Sequence, residues 1–189
     1  LEPLKISGLL FYGNVESVPT KEDVELNPMS PYALQKLMGE QYCRLFSELY
    51  GLSTTCLRYF NVYGERQLLE GAYCLVMGKF AQQKLNGEPL TIRGSGHQRR
   101  DFTYVGDVVD ANMRAAFNDL VLKGEPFNIG NGDNRSVKHI AKLIGGETTN
   151  VDPVIEPRET LADNSKVKFF LGWEPKGNLE EWIKTYKEE

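Results

Sequence analysis

Tyr32 and Lys36 stand four residues apart in the run Ser30-Pro31-Tyr32-Ala33-Leu34-Gln35-Lys36. On a helix that spacing puts both side chains on one face. A phenol ionises near ~10 in water and is a poor base at neutral pH. A cation held beside it favours the phenolate. Such a pair can exchange a proton with a sugar hydroxyl during hydride transfer. The spacing alone also arises on any amphipathic helix, so its weight comes from the surrounding sequence. Three arginines, Arg93, Arg99 and Arg100, gather around Gly94-Ser95-Gly96, whereas the other basic residues are scattered. Three cysteines (Cys43, Cys56, Cys74) make an odd number, with no Cys-x-x-Cys and no paired histidines nearby. That argues against a disulfide scaffold and a zinc site, so no metal is expected, and it suits a reducing, cytoplasmic setting. His97 and His139 are isolated and read as surface or loop residues.

Several elements must hold these groups. Ser30 is an N-cap candidate and Pro31 fits the first helical position. The spacing predicts a helix over Tyr32–Tyr50, closed by Gly51. A buried strand is expected at Lys5–Tyr12, ending in Gly13, with a loop at Asn14–Pro31. After the helix come a strand at Thr54–Tyr59, a loop at Asn61–Gly71 and a helix at Tyr73–Leu85. Short strands follow at Leu90–Ile92 and Phe102–Tyr104, then a helix at Val108–Asn118 and a strand at Pro126–Ile129. A helix at Ser136–Ile144, capped by Ser136 and stopped by Gly145-Gly146, precedes helices near Ser165–Leu171 and at Leu179–Lys187. Strand–helix alternation in the first half predicts an α/β fold with a parallel sheet; the second half reads as a smaller α+β lobe. Tyr73, Phe80, Phe102, Tyr104, Phe127, Phe169, Phe170 and Trp173 are expected in the core.

The 189 residues carry 22 Lys+Arg against 26 Asp+Glu, a net charge of −4 that argues against a general nucleic-acid binder. With 41% hydrophobic and 25% charged residues the composition is that of a folded domain, not a disordered chain. Apolar runs are only a few residues long, so no membrane span is expected. Glu2, Pro3 and Lys5 in the first seven residues do not fit a signal peptide.

The flanking motifs sharpen the Tyr/Lys pair. Ser30–Lys36 is followed by Gly39-Glu40, Tyr50-Gly51-Leu52 and Leu57-Arg58-Tyr59-Phe60-Asn61-Val62-Tyr63-Gly64. Later come Gly71-Ala72-Tyr73, the run Gly94-Ser95-Gly96-His97-Gln98-Arg99-Arg100-Asp101-Phe102-Thr103-Tyr104-Val105, Phe127-Asn128-Ile129-Gly130, and Ala162-Asp163-Asn164-Ser165-Lys166 with Leu171-Gly172-Trp173. In this order the motifs closely resemble the extended short-chain dehydrogenase/reductase family. Within it the chain looks most like the NAD-dependent nucleotide-sugar epimerases of the UDP-glucose 4-epimerase kind, and next the dehydratases. The region before Tyr32 lacks the Asp-Glu pair that dehydratases carry there, which favours the epimerases. The resemblance implies an incomplete Rossmann-like parallel sheet plus a small C-terminal substrate lobe. Residues 1–65 would end the Rossmann-like domain and carry the catalytic helix. Residues 66–189 would mainly form the substrate lobe, with some segments returning to the sheet.

The resemblance also implies roles. Tyr32 would be the catalytic base and acid. Lys36 would bind the nicotinamide ribose and lower the Tyr32 pKa, and Tyr59 lies in the segment lining the nicotinamide side. Asn61 matches the asparagine at the diphosphate of the sugar nucleotide. Leu90, Thr91, Ile92 and Arg93 match the strand flanking base and ribose, and Arg100 matches the arginine that grips the diphosphate. A planar guanidinium suits phosphate oxygens. The implied ligands are NAD for the complete enzyme and a UDP- or dTDP-linked hexose, with no nucleic acid and no membrane. A homodimer through the catalytic-helix face, or a partner supplying the N-terminal half, is also implied.

Several positions depart from the family pattern. The first strand and its glycine-rich turn, which lets the backbone approach a pyrophosphate, have no counterpart in these 189 residues. Asn128-Ile129-Gly130-Asn131-Gly132 is the best internal imitation and is read as structural. The chain therefore looks like the C-terminal part of such an enzyme, and intact hydride chemistry is not expected from it alone. The family's Ser/Thr five residues before the glycine of the Tyr-Gly pair falls on Gly8; Ser7 is adjacent but offset to the other strand face. Near Pro153–Arg158 the usual Arg-Pro-Gly-Glu is replaced by Val154-Ile155-Glu156-Pro157, leaving Arg158 as a displaced candidate for a second diphosphate arginine. Gly106 stands where Asp is common and Glu65 where Pro is common.

Overall fold

The computed structural model describes residues 4–7, 12–13, 15, 17–71, 74–120, 122–154 and 156–186. In chain order the elements are β1 (Leu4–Ser7), α1 (Pro31–Tyr50), β2 (Thr54–Tyr59), β3 (Asn61–Tyr63), α2 (Val76–Leu85), β4 (Leu90–Arg93) and β5 (Arg99–Tyr104). They continue with α3 (Val105–Ala116), β6 (Lys123–Ile129), β7 (Asn134–Ser136), α4 (Val137–Ile144), β8 (Thr148–Val151), α5 (Ser165–Leu171) and α6 (Leu179–Tyr186).

The main sheet is parallel with strand order β1-β2-β6. Ser7 lies opposite Tyr59, and Leu57 opposite Phe127. As the central strand, β2 is buried at every residue, so its sequence shows no apolar–polar alternation. Its side chains still alternate between two faces. Cys56, and Phe60 just beyond the strand, pack with Ala33 and Cys43 of α1. Leu57 and Tyr59 pack instead with Val108 and Ala111 of α3 and with Val167, Leu171 and Trp173. Among the described residues there are two smaller sheets: β3-β5-β7, parallel then antiparallel, and the parallel pair β4-β8. A third cluster centred on Phe80, Leu90, Ile92 and Ile140 joins α2, β4 and α4.

Local chemistry sets α1. The Ser30 hydroxyl accepts the Ala33 N–H at 3.1 Å, and Gly51, at φ 65°, donates its N–H to the Ser47 carbonyl. Glu40 and Arg58 then lock α1 to β2 by a paired contact, with Arg58 Nε and Nη2 donating to the two Glu40 oxygens at 2.8 and 2.7 Å. Arg58 Nη1 also donates to the Tyr12 hydroxyl and the Glu22 carbonyl, and the Tyr12 hydroxyl donates to Asn128 Oδ1 at 2.6 Å. Burial pushes the Tyr12 phenol far above its usual range, although Arg58 opposes the shift. One buried network thus ties α1, β2, β6 and the segment before α1 together.

The α/β class is as expected, but several boundaries differ. The first strand is described only over Leu4–Ser7, and Tyr12 sits in a turn with its hydroxyl turned to Asn128; residues 8–11 lie outside the described residues. The expected loop at Asn61–Gly71 begins with β3, and β7 and β8 had no counterpart in the expected elements. Helix α3 starts three residues early, at Val105. Gly106 leaves room for the Tyr104 ring, because a Cβ there would stand 2.5 Å from it. Phe80, Phe102, Phe127 and Trp173 are buried, whereas Phe169 and Phe170 are exposed. The seven-residue α5 turns Val167 and Leu171 inward, which leaves both phenylalanines outside; Phe170 packs edge-on with Phe169 at 5.1 Å and with Phe127 at 5.9 Å. Tyr73 is outside the described residues. His139 is on α4, with Nε2 3.8 Å from Glu180.

Candidate active site and nucleotide cleft

Tyr32 and Lys36 occupy the first turns of α1, both half-buried, with Lys36 Nζ 5.1 Å from the centre of the Tyr32 ring. Glu40 continues the same four-residue spacing. Its bond to Arg58 therefore fixes the rotation of α1 that sets where Tyr32 and Lys36 point. At the end of β2 three consecutive residues serve three places. Tyr59 turns to the α3 face, where its hydroxyl donates to Asn112 Oδ1 at 2.9 Å and burial raises its phenol. Phe60 packs with Ala33 of α1. Asn61 opens β3 and lines a separate cleft. The Tyr59 side chain is thus on the sheet face opposite the Tyr32/Lys36 pair. Gly8 lies outside the described residues, and the backbone of Ser7 ends β1 beside Tyr59.

The cleft, of about 690 Å³, lies between β4, the start of α2 and the segment around Glu156. Strand alternation sorts the four β4 residues: Leu90 and Ile92 enter the core, while Thr91 and Arg93 line the cleft. Leu90 and Gly94 spend their N–H groups on the β8 side. On the opposite edge the Gln83 carboxamide accepts the Thr91 N–H at 3.0 Å and donates to its hydroxyl at 2.5 Å. Arg100 is buried in the cleft wall, with Nη1 on the Arg99 carbonyl at 2.7 Å and Nη2 on Glu156 Oε2 at 2.5 Å. Asn61 Oδ1 is buried and has no hydrogen-bond partner among the described residues.

Asn61, Thr91, Arg93 and Arg100 are therefore brought together. Arg158 is not: its side chain is exposed, it does not line the cleft, and its carbonyl accepts the Arg99 N–H at 3.0 Å. Glu156, two residues earlier, lies at Arg100 instead. Gln83, Gln98 and Glu156 were missed as site residues. The only trace of Glu156 in the sequence was the altered stretch Val154–Pro157.

The turn after β6 is closed to a ligand phosphate. Asp101 is fully buried and accepts the N–H groups of Asn131 at 2.7 Å, Gly132 at 3.0 Å and Ala162 at 3.0 Å. The protein's own carboxylate fills the place an anion would take. A Cβ on Gly130 would stand 2.3 Å from the Ala162 Cβ, so this glycine serves packing between segments.

A match to the NAD dependent epimerase/dehydratase family spans residues 4–130, and the chain belongs to that family. It is 40% identical, over 185 residues, to a putative UDP-glucose 4-epimerase of Methanocaldococcus jannaschii, covering 94% of this chain and 59% of the relative. Among solved structures it resembles the UDP-glucose 4-epimerase of Thermotoga maritima with UDP-glucose, at TM-score 0.87 and 39% identity over 95% of this chain and 60% of that one. It also resembles the UDP-glucuronic acid 4-epimerase of Bacillus cereus in complex with UDP-glucuronic acid and NAD. There the TM-score is 0.84 and the identity 32%, over 95% of this chain and 59% of that one. The chain thus spans about three fifths of the length of these relatives. Among the described residues no helix is long and apolar enough to cross a membrane.

Proposed function

We propose that this chain is the C-terminal, substrate-binding part of an NAD-dependent nucleotide-sugar epimerase acting on a UDP-linked hexose. The observation that carries the reading is the cleft, which a buried arginine and an asparagine oxygen without a partner among the described residues line together with Thr91 and Arg93 of β4. Thr91 and Arg93 would border the base and ribose, and Leu90 and Ile92 hold that strand against the core. Arg100 would meet the diphosphate. Asn61 Oδ1 would accept from a ligand hydroxyl, and a half-turn of its carboxamide would offer Nδ2 to a phosphate instead. The division at residue 65 follows the same reading, with β6 rejoining the main sheet from the second part.

The residues present fit one end of NAD. Tyr32 and Lys36 offer a hydroxyl and an ammonium on one half-exposed face of α1, suited to ribose hydroxyls. The pyrophosphate has no cradle among the described residues, because Asp101 already occupies the glycine turn after β6. When bound, NAD supplies the hydride acceptor. Tyr32 would take the proton from the sugar hydroxyl and return it, and Lys36 would hold a positive charge beside that oxygen. Tyr59 would contribute through its position next to Phe60, its hydroxyl being committed to Asn112. The unpaired thiols suit a cytoplasmic protein, and a second copy is proposed to dock on the outer face of α1.

A reading as a nucleotide-sugar-binding module without turnover shares the cleft. Calorimetric titration with UDP-glucose and, separately, NAD⁺ tests both. UDP-glucose is expected to bind, and Arg100→Ala to abolish the heat. NAD⁺ is expected to give none with this chain alone. Absence of UDP-glucose binding would overturn the proposal. Tyr32→Phe in a complete enzyme separates the two readings: lost turnover with retained UDP-glucose binding supports catalysis, and unchanged turnover refutes it.

A further inference from the structure

Arg100 is the cleft's buried cation, yet its Nη2 is already held by a carboxylate. Glu156 reaches it from 56 positions away at 2.5 Å, while Gln98 Nε2 holds the other Glu156 oxygen at 3.2 Å. The Glu156 side chain keeps about a third of its surface exposed, against 9% for Arg100. The carboxylate is therefore the member of the pair that can leave for water.

We propose that Glu156 is an internal competitor for phosphate: its carboxylate occupies the Arg100 anion seat until a diphosphate displaces it. This rests on the nucleotide-sugar reading of the cleft. A carboxylate and a diphosphate at one guanidinium repel each other, and the repulsion is strong where the guanidinium is shielded from water. Displacement would hand Arg100 Nη2 to a phosphate oxygen and leave Glu156 to water and Gln98. Glu156 thereby sets how strongly the cleft holds phosphate relative to nucleoside. Segments on both sides of the residue are tied down, since Val151 accepts the Gly94 N–H and Arg158 accepts the Arg99 N–H. A rotation of the Glu156 side chain would deliver this release.

Glu156→Gln keeps the shape and an acceptor for Arg100 while removing the charge. Titrations of the whole chain with UDP, uridine and inorganic pyrophosphate should show UDP and pyrophosphate binding roughly tenfold more tightly to the variant, with uridine unchanged. Raising salt should shrink the gain. Glu156→Ala, whose fold is checked by circular dichroism, should move affinity in the same direction. Equal or weaker UDP binding in both variants would overturn the proposal, and weaker uridine binding would make Glu156 a direct contact of the nucleoside. If neither UDP nor pyrophosphate binds wild type or variant, the nucleotide reading itself fails and takes this inference with it. Tighter pyrophosphate binding without any UDP binding would keep the competition at Arg100 and refute only the nucleotide.

Discussion

Two buried charges show how much single residues contribute here. Arg58 and Glu40 are both nearly sealed, with side chains 4% and 8% exposed. Glu40→Ala would leave the guanidinium buried without its carboxylate, still donating to the Tyr12 hydroxyl and the Glu22 carbonyl. Losing one member of a buried pair costs about 3–5 kcal/mol, and urea unfolding should show it. Glu40→Met with Arg58→Met removes both charges and should recover much of that loss; a double variant no better than Glu40→Ala would contradict the account. Asp101 behaves differently. Burial pushes its carboxyl up to about 6, against the lowering effect of the three N–H groups it accepts. Its folded value lies above the unfolded value of roughly 3.9, so folding favours the protonated form. The stability this contributes is fully present below roughly pH 4 and is lost as pH rises through about 6. A carbon-detected titration of the Asp101 carboxyl should show a midpoint near 6, and a midpoint in the ordinary carboxylate range would refute the burial argument.

At the scale of elements, the turn after β6 depends on a close approach. Gly130→Ala would drive a methyl to within 2.3 Å of the Ala162 Cβ and 2.9 Å of Asp101 Oδ2. Overpacking of this kind costs about 1–3 kcal/mol, to be read as a lower melting temperature. Adding Ala162→Gly should restore part of it, and no restoration would place the strain elsewhere. This contact also explains what the sequence could reveal. Helix α1 was legible to within a residue because its limits are set by neighbours in the chain: Ser30 caps it and Gly51 closes it. Strand β8 was not legible. Thr148, Thr149, Asn150 and Val151 are all exposed and are held by backbone pairing to β4, so no burial pattern marks them. Helix α3 starts without a side-chain cap, which hid Val105 behind Gly106. The site divides in the same way. Tyr32 and Lys36 are neighbours on one helix and could be paired from spacing. Glu156 meets Arg100 only through folding, and no local signal announces a partner 56 residues away.

For the molecule as a whole, α1 presents two unlike faces. The inner one uses small side chains, Ala33, Cys43 and Ser47, which let the helix lie close to the sheet. The outer one carries Leu34, Met38, Tyr42, Leu45 and Leu49, each 44–63% exposed, at spacings of four, four, three and four residues. That is a continuous apolar stripe of the kind that helices bury against one another. Contiguous exposed patches of this sort mark interaction surfaces in soluble proteins. A second copy can cover it symmetrically, stripe against stripe. Light scattering should then report a dimer for the wild-type chain. Leu45→Glu with Leu49→Glu should yield a monomer with unchanged helix content, because neither side chain supports the core. The double variant should keep its affinity for UDP-glucose, since the nucleotide cleft is lined by other elements. A wild-type monomer would refute the pairing, and a variant that stays dimeric would move the interface off α1.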